Sequence, residues 1–210
     1  AVAGANCPAP RTYFAHYYKR YLQFMDEPAI TSNDIVMLGN SLTEGGGDWG
    51  KRLGKDNVIN RGISGDVAMG IYDRLHQILP GKPKQIFLLI GVNDISHDLS
   101  TDSIVQMIEK NVTRIQRESP ETKLYLQSLL PIDESFNRYK KLTNKTYQIP
   151  EINDRLKALA KEKKIDFIDL YPLFTEKGTH VLRKELTFDG LHLKEEGYKI
   201  WVDAIKKKMK

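Results

Sequence analysis

The chain predicts an α/β protein with a five-stranded parallel sheet covered by helices on both faces. Short apolar runs alternate with longer stretches of helical period along its 210 residues. The clearest run, Gln85-Ile-Phe-Leu-Leu-Ile90, is continuously apolar, as a strand buried on both faces must be. Three of the runs are followed by turns rich in Gly, Ser or Asn, at the sheet edge where an open parallel sheet gathers its ligand groups.

Residues 8–30 place Tyr13, Phe14, Tyr17, Tyr18, Tyr21 and Phe24 at helix-like spacing, which reads as a packing face. They form an N-terminal extension, 1–30, ahead of a single domain over 31–210. In that domain Asp34 opens the first strand, Ile35-Val-Met-Leu38, closed by Gly39, and Val58-Ile59 is a shorter second strand. A helical pattern over Val67–Leu79 leads to the third strand at Gln85. Asp102–Glu118 is a clear amphipath, with Ile104, Val105, Ile108, Val112 and Ile115 on one side. Lys123–Leu129 is the fourth strand. The polar segment Pro131–Lys145 has no period and reads as a long loop carrying Phe136, Arg138 and Tyr139. Thr146–Lys164 is helical, Ile165–Asp169 is the fifth strand, and Lys194–Lys208 is the last helix.

Hydrophobic residues at 40% and charged residues at 28% describe an ordinary globular chain. No apolar run is long enough to span a bilayer. The net charge of +5 is spread out, and its densest run, Lys206-Lys207-Lys208 with Lys210, reads as a solvated tail, so a nucleic-acid partner is not expected. Cys7 is the only cysteine, which excludes an intrachain disulfide, and it lies away from every motif. Ala1-Val-Ala-Gly-Ala5 looks like the small-residue end of a secretory signal, the alternative being an arbitrary start. The expectation is an exported bacterial protein, periplasmic or extracellular.

Asp189-Gly-Leu-His192 precedes the last helix. A neutral imidazole accepts a hydroxyl proton only if the correct nitrogen is free, and a carboxylate on the other nitrogen fixes that tautomer. Ser41 follows the first strand, Gly62-Ile-Ser-Gly65-Asp follows the second, and Asn93 follows the third. All therefore meet at one sheet edge. Ser41 would be the nucleophile, His192 the base and Asp189 its orienting acid. The backbone N–H groups of Ser41 and Gly65 and the side-chain amide of Asn93 would serve a developing oxyanion. Each has a plainer reading: Ser41 as a helix cap, Asn93 and Asp94 as turn-formers, Gly62 and Gly65 as residues with positive φ. Their joint occurrence in order favours the site. His16, His76, His97 and His180 read as surface or packing residues, with His180 as an alternative base.

With Gly39-Asn-Ser41-Leu, Gly65, Asn93, Asp189 and His192 in place, the chain resembles the GDSL-type lipases and esterases, or SGNH hydrolases, from about Asp34 to Tyr198. Asn40 departs from the Asp of Gly-Asp-Ser-Leu. Asn60-Arg-Gly-Ile-Ser-Gly-Asp66 and Leu129-Leu-Pro131 are similar to the compact branch of platelet-activating-factor acetylhydrolase-like proteins and bacterial carbohydrate acetylesterases. The resemblance implies a three-layer α/β/α fold with a flavodoxin-like sheet. It also implies a serine esterase that needs neither metal nor cofactor and acts on a small-molecule or glycan ester.

The expected substrate is a small acyl ester, acetyl above all, on a carbohydrate. Phe136 and Tyr139 would stack on a sugar face, and Arg138 would hold a carboxylate if the sugar is acidic. Within the family the alternative is a lysophospholipase or thioesterase. From another class, Gly39–Gly45 could cradle a phosphate in a flavodoxin-like cofactor-binding protein, which leaves Asp189 and His192 unexplained.

Overall fold

Five short segments pair in parallel as Ile35–Gly39 (β1), Val58–Gly62 (β2), Gln85–Leu89 (β3), Lys123–Gln127 (β4) and Asp166–Ile168 (β5). They come from a computed structural model that describes residues 11–209, so the Ala1–Ala5 stretch and Cys7 lie outside the described residues. The strand order is β2-β1-β3-β4-β5. Ile35 stands level with Val58 on one side and Gln85 on the other. All of β1 and β3 is buried, which explains their apolar sequence, Gln85 at the start of β3 being the one polar residue. The chain leaves β1 in one direction to form β2 and returns to its other side to form β3. The order thus reverses at β1, and a crevice opens there beyond the strand ends.

The helices are Ala15–Asp26 (α1), Ser41–Glu44 (α2), Trp49–Leu53 (α3), Ala68–Tyr72 (α4), Val92–Ser96 (α5), Thr101–Glu118 (α6), Gln148–Lys163 (α7), Tyr171–Phe174 (α8) and Glu195–Lys206 (α9). α4, α6 and α7 pack side by side in one layer, and α3, α8 and α9 in the other. α6 starts where the Ser100 hydroxyl accepts the Ser103 N–H at 3.1 Å, and it buries the apolar stripe read from its sequence. In the opposite layer Trp201 of α9 meets Trp49 of α3 edge to face, with ring centroids 4.9 Å apart. No helix among the described residues is long and apolar enough to cross a membrane.

The helix expected over Val67–Leu79 is a correction: α4 ends at Tyr72, and two single 3-10 turns follow, at Leu75–Gln77 and Leu79–Gly81. Arg74 leaves helical geometry with φ −120° because its side chain turns into the core. There its guanidinium donates to Asp66, to the Arg61 carbonyl at 2.9 Å and to the Gly39 carbonyl at 3.1 Å. These bonds tie the ends of β1 and β2 together.

The aromatic N-terminal segment packs on the domain. The Tyr17 hydroxyl donates to the Gly70 carbonyl at 2.6 Å, and Arg20 to the Gly62 carbonyl at 3.0 Å. The buried Phe24 ring lies under the guanidinium groups of Arg20 and Arg61.

The segment 131–145 is more ordered than its lack of period suggests. It holds single 3-10 turns at Glu134–Phe136 and Lys140–Leu142. The Asp133 N–H donates to the Gly190 carbonyl at 2.9 Å, and Leu142 is buried. The C-terminal tail is also pinned rather than wholly solvated. The Lys208 carbonyl accepts from Gln85 Nε2 at 2.9 Å, although Lys206 and Lys207 remain exposed.

Candidate active site

β1 delivers Ser41 to the crevice at the start of α2. Asn40 caps this one-turn helix through Oδ1, which accepts the Leu42 N–H at 3.0 Å. Asn40 therefore supplies the cap that an aspartate would, while its buried Nδ2 has no partner among the described residues. The turn just before α9 brings the other half of the site. Gly190, at φ +89°, lets the chain reverse between Asp189 and His192. Thr187 braces that turn, its hydroxyl donating to the His192 carbonyl at 2.6 Å and accepting the Gly190 N–H at 2.9 Å.

Ser41 Oγ lies 3.0 Å from His192 Nε2, and His192 Nδ1 lies 2.7 Å from Asp189 Oδ2. The carboxylate holds the proton of the imidazole on Nδ1, leaving Nε2 to face the hydroxyl. Asp189 Oδ1 accepts the backbone N–H groups of Leu191 and His192 at 2.9 and 2.7 Å. Burial by itself would raise the Asp189 carboxyl. Hydrogen bonds from Tyr139, from His192 and from those two amides outweigh it and hold the group well below the usual carboxylate range. The acid thus stays ionised beside the imidazole.

The loop after β2 carries Gly65 at φ +86°. A Cβ built there would stand 2.9 Å from the ring of Phe14, so this approach requires glycine. Asn93, on α5 after β3, donates one amide hydrogen to the Asp66 carbonyl at 2.9 Å, which aims the second hydrogen elsewhere. Beneath it Asp94 is buried and accepts the Ala68 N–H at 3.1 Å. Burial, with the nearby Asp66 charge adding to it, pushes the Asp94 carboxyl up to about 7. Burial raises Asp66 as well, and its pairing with Arg74 offsets part of that.

Asn93 borders two cavities. One, of about 380 Å³, is lined by Ser41, His192, Arg138, Tyr139 and the two lysines that follow Tyr139. The other, of about 700 Å³, is lined by Gly65, Val67, Tyr13, Phe14 and His97. The structure brings Ser41, His192 and Asp189 within hydrogen-bond reach, and Asn93 lies between their cavity and the one that Gly65 lines. Of the three loop residues, Arg138 and Tyr139 reach the cavity beside Ser41. Phe136 lies against Gly190, outside that lining.

Tyr139 does something the sequence did not announce. Its hydroxyl donates to Asp189 Oδ2 at 2.7 Å and lies 2.9 Å from His192 Nδ1. The hydroxyl is therefore engaged behind the imidazole rather than presented to a ligand. His180, the alternative base, instead faces the Tyr171 hydroxyl through Nδ1 at 2.9 Å. His16 is more than a packing residue: its Nε2 lies 2.8 Å from Glu44, whose carboxylate also accepts the Ser64 hydroxyl at 2.8 Å. Glu44 so anchors the residue beside Gly65, and these bonds hold its carboxyl down against the burial that would raise it. No spacing in the sequence signals Glu44 or Arg74, since their partners are remote.

The model of the GDSL-like lipase/acylhydrolase family matches residues 37–200. The chain belongs to that family. Its members among solved structures include a GDSL-like lipase from Bacteroides thetaiotaomicron. That protein is 25% identical, superposes with a TM-score of 0.80, and the match covers 94% of this chain and 98% of the other. An acetyl xylan esterase, 22% identical with a TM-score of 0.70 over 84% of this chain and all of the other, shares the fold. An N-acylneuraminate cytidylyltransferase from Escherichia coli is 24% identical over 82% of this chain, a match that spans only 39% of that enzyme's own length.

Proposed function

We propose that this GDSL family member is a serine esterase that removes small acyl groups, acetyl above all, from carbohydrate hydroxyls through an acyl-enzyme. The observation that carries the reading is the 3.0 Å approach of Ser41 Oγ to His192 Nε2, with Asp189 2.7 Å from the other nitrogen. Nε2 takes the hydroxyl proton as Oγ attacks the ester carbonyl carbon. The carbonyl oxygen gains the negative charge and meets the N–H groups of Ser41 and Gly65 and the free amide hydrogen of Asn93. The imidazolium, stabilised by Asp189, returns its proton to the departing alcohol oxygen as the carbon–oxygen bond breaks. Water then repeats the sequence on the acyl-enzyme, releasing the acid and restoring Ser41.

A carbohydrate acetyl ester is supported by the small cavity beside Ser41, with Arg138, Lys140 and Lys141 in its lining, by the shared fold with an acetyl xylan esterase and by the relative named for N-acylneuraminate. Turnover of p-nitrophenyl acetate against the octanoate, together with acetate release from acetylated sugars, tests it. A steep preference for acetate and release from at least one sugar are expected. One observation favours a second reading. The larger cavity, walled by Tyr13, Phe14 and Val67, offers an apolar surface suited to a longer acyl chain. Octanoate turned over faster than acetate would assign the protein to lysophospholipase or thioesterase chemistry.

A further inference from the structure

We infer that the ester carries an anionic group on its alcohol half, held by Arg138, Lys140 and Lys141. This rests on the serine-esterase reading and adds to it the charge of the substrate. His192 Nε2 must deliver a proton to the departing alcohol oxygen, so the alcohol half lies on the His192 side of Ser41 while the carbonyl oxygen faces Gly65 and Asn93. The cavity on that side is the one of about 380 Å³, bounded by Ser41 and His192. Its three side chains of fixed charge are Arg138, Lys140 and Lys141, and no carboxylate shares its lining.

Among the described residues none of the three cations is tied up in an ion pair, although Asp98 also feels the charge of Lys141. Every other arginine of the described residues forms a salt bridge. The acids of the neighbouring segments bond elsewhere: Asp98 pairs with Lys145, Glu134 accepts the Asn144 N–H at 2.8 Å, and Asp133 accepts the Ser135 hydroxyl at 2.6 Å. Asp189 is taken up by Tyr139 and His192. Lys140 and Lys141 stand in a 3-10 turn whose third residue, Leu142, is buried, and Tyr139 is tied to Asp189. The cations are thus presented from a fastened segment. Three cations without a salt bridge around a small cavity mutually repel, and an anion in that cavity relieves the repulsion. Arg138 suits a carboxylate or a phosphate through its planar fork, and the lysines add point charges.

The test compares four acetyl esters of one phenol scaffold: 3-acetoxybenzoate, its methyl ester, 3-acetoxyphenyl phosphate and the unsubstituted phenyl acetate. Hydrolysis of the two neutral esters by the wild type, lost in Ser41→Ala, establishes the esterase reading independently. The inference is read from the ratio of kcat/KM for each anionic ester to that for its neutral partner. That ratio should be about fivefold or more in low salt and shrink as ionic strength rises. In the triple variant Arg138→Gln, Lys140→Gln, Lys141→Gln it should fall to about one, because only the charged substrate loses a partner. The larger of the two anionic ratios assigns the group to a carboxylate or a phosphate. A ratio of about one in the wild type, or one that the triple variant retains, overturns the inference while leaving the esterase standing.

Discussion

The Tyr139 hydroxyl donates to Oδ2 of Asp189 at 2.7 Å, the same oxygen that faces the Nδ1 proton of His192. One carboxylate oxygen therefore serves two donors, one from the segment that walls the cavity and one from the imidazole. Sharing has two opposed effects. It fixes the carboxylate and keeps it ionised, and it draws off some of the negative charge offered to the imidazolium.

Tyr139→Phe separates them. Loss of a hydrogen bond to a charged group, worth about 1.5–3 kcal/mol when fully expressed, should lower kcat about tenfold with little change in KM. The acidic limb of the kcat/KM profile should move to higher pH, because the full charge of Asp189 then faces His192. A pH–rate series on wild type and variant checks both. An unchanged profile with unchanged kcat would make Tyr139 a wall residue only.

Asn93→Ala should lower kcat by about 10²–10³ with a small effect on KM, since an oxyanion donor acts on charge that appears only in the transition state. The Asp66 carbonyl also loses its donor at 2.9 Å, so the melting temperature should fall slightly. Steady-state kinetics on p-nitrophenyl acetate decide the matter: a rise confined to KM would place Asn93 in substrate binding.

Asp94 makes a prediction in pH. Its carboxyl is pushed up to about 7 by burial, from an unfolded value near 3.8. The folded protein therefore holds this proton more tightly than the unfolded chain does. The stability it contributes is present below about pH 4 and is lost as pH rises through 7. Asp94→Asn keeps an oxygen to accept the Ala68 N–H and removes the titration. The variant should gain stability relative to wild type on going from pH 5 to pH 8. Thermal melts of the pair at both values check this, and a difference independent of pH would contradict the buried-carboxyl account.

The sheet was legible because its central strands are buried on both faces and so read as uninterrupted apolar runs, as in Ile35–Leu38 and Ile86–Ile90. The long helices α6, α7 and α9 were legible because each buries one stripe. α2, α3, α5 and α8, of four or five residues, are too short to show a period. Ser41, Gly65, Asn93, Asp189 and His192 could be placed together because each follows a strand and the strand ends share one edge. Glu44, Arg74 and the hydroxyl of Tyr139 could not be read this way. Their partners are set by three-dimensional packing, such as the turn of Arg74 into the core, and no local spacing records it.

The central claim is that Ser41 is a nucleophile activated by His192. The most direct measurement is labelling with a fluorophosphonate, read by intact mass and peptide mapping, on wild type, Ser41→Ala and His192→Ala. One adduct is expected on wild type, located on Ser41, none on Ser41→Ala, and labelling slowed by orders of magnitude in His192→Ala, with ester turnover disappearing together with the adduct. An adduct on another residue, or a Ser41→Ala protein that keeps more than about a tenth of wild-type turnover, would contradict the claim.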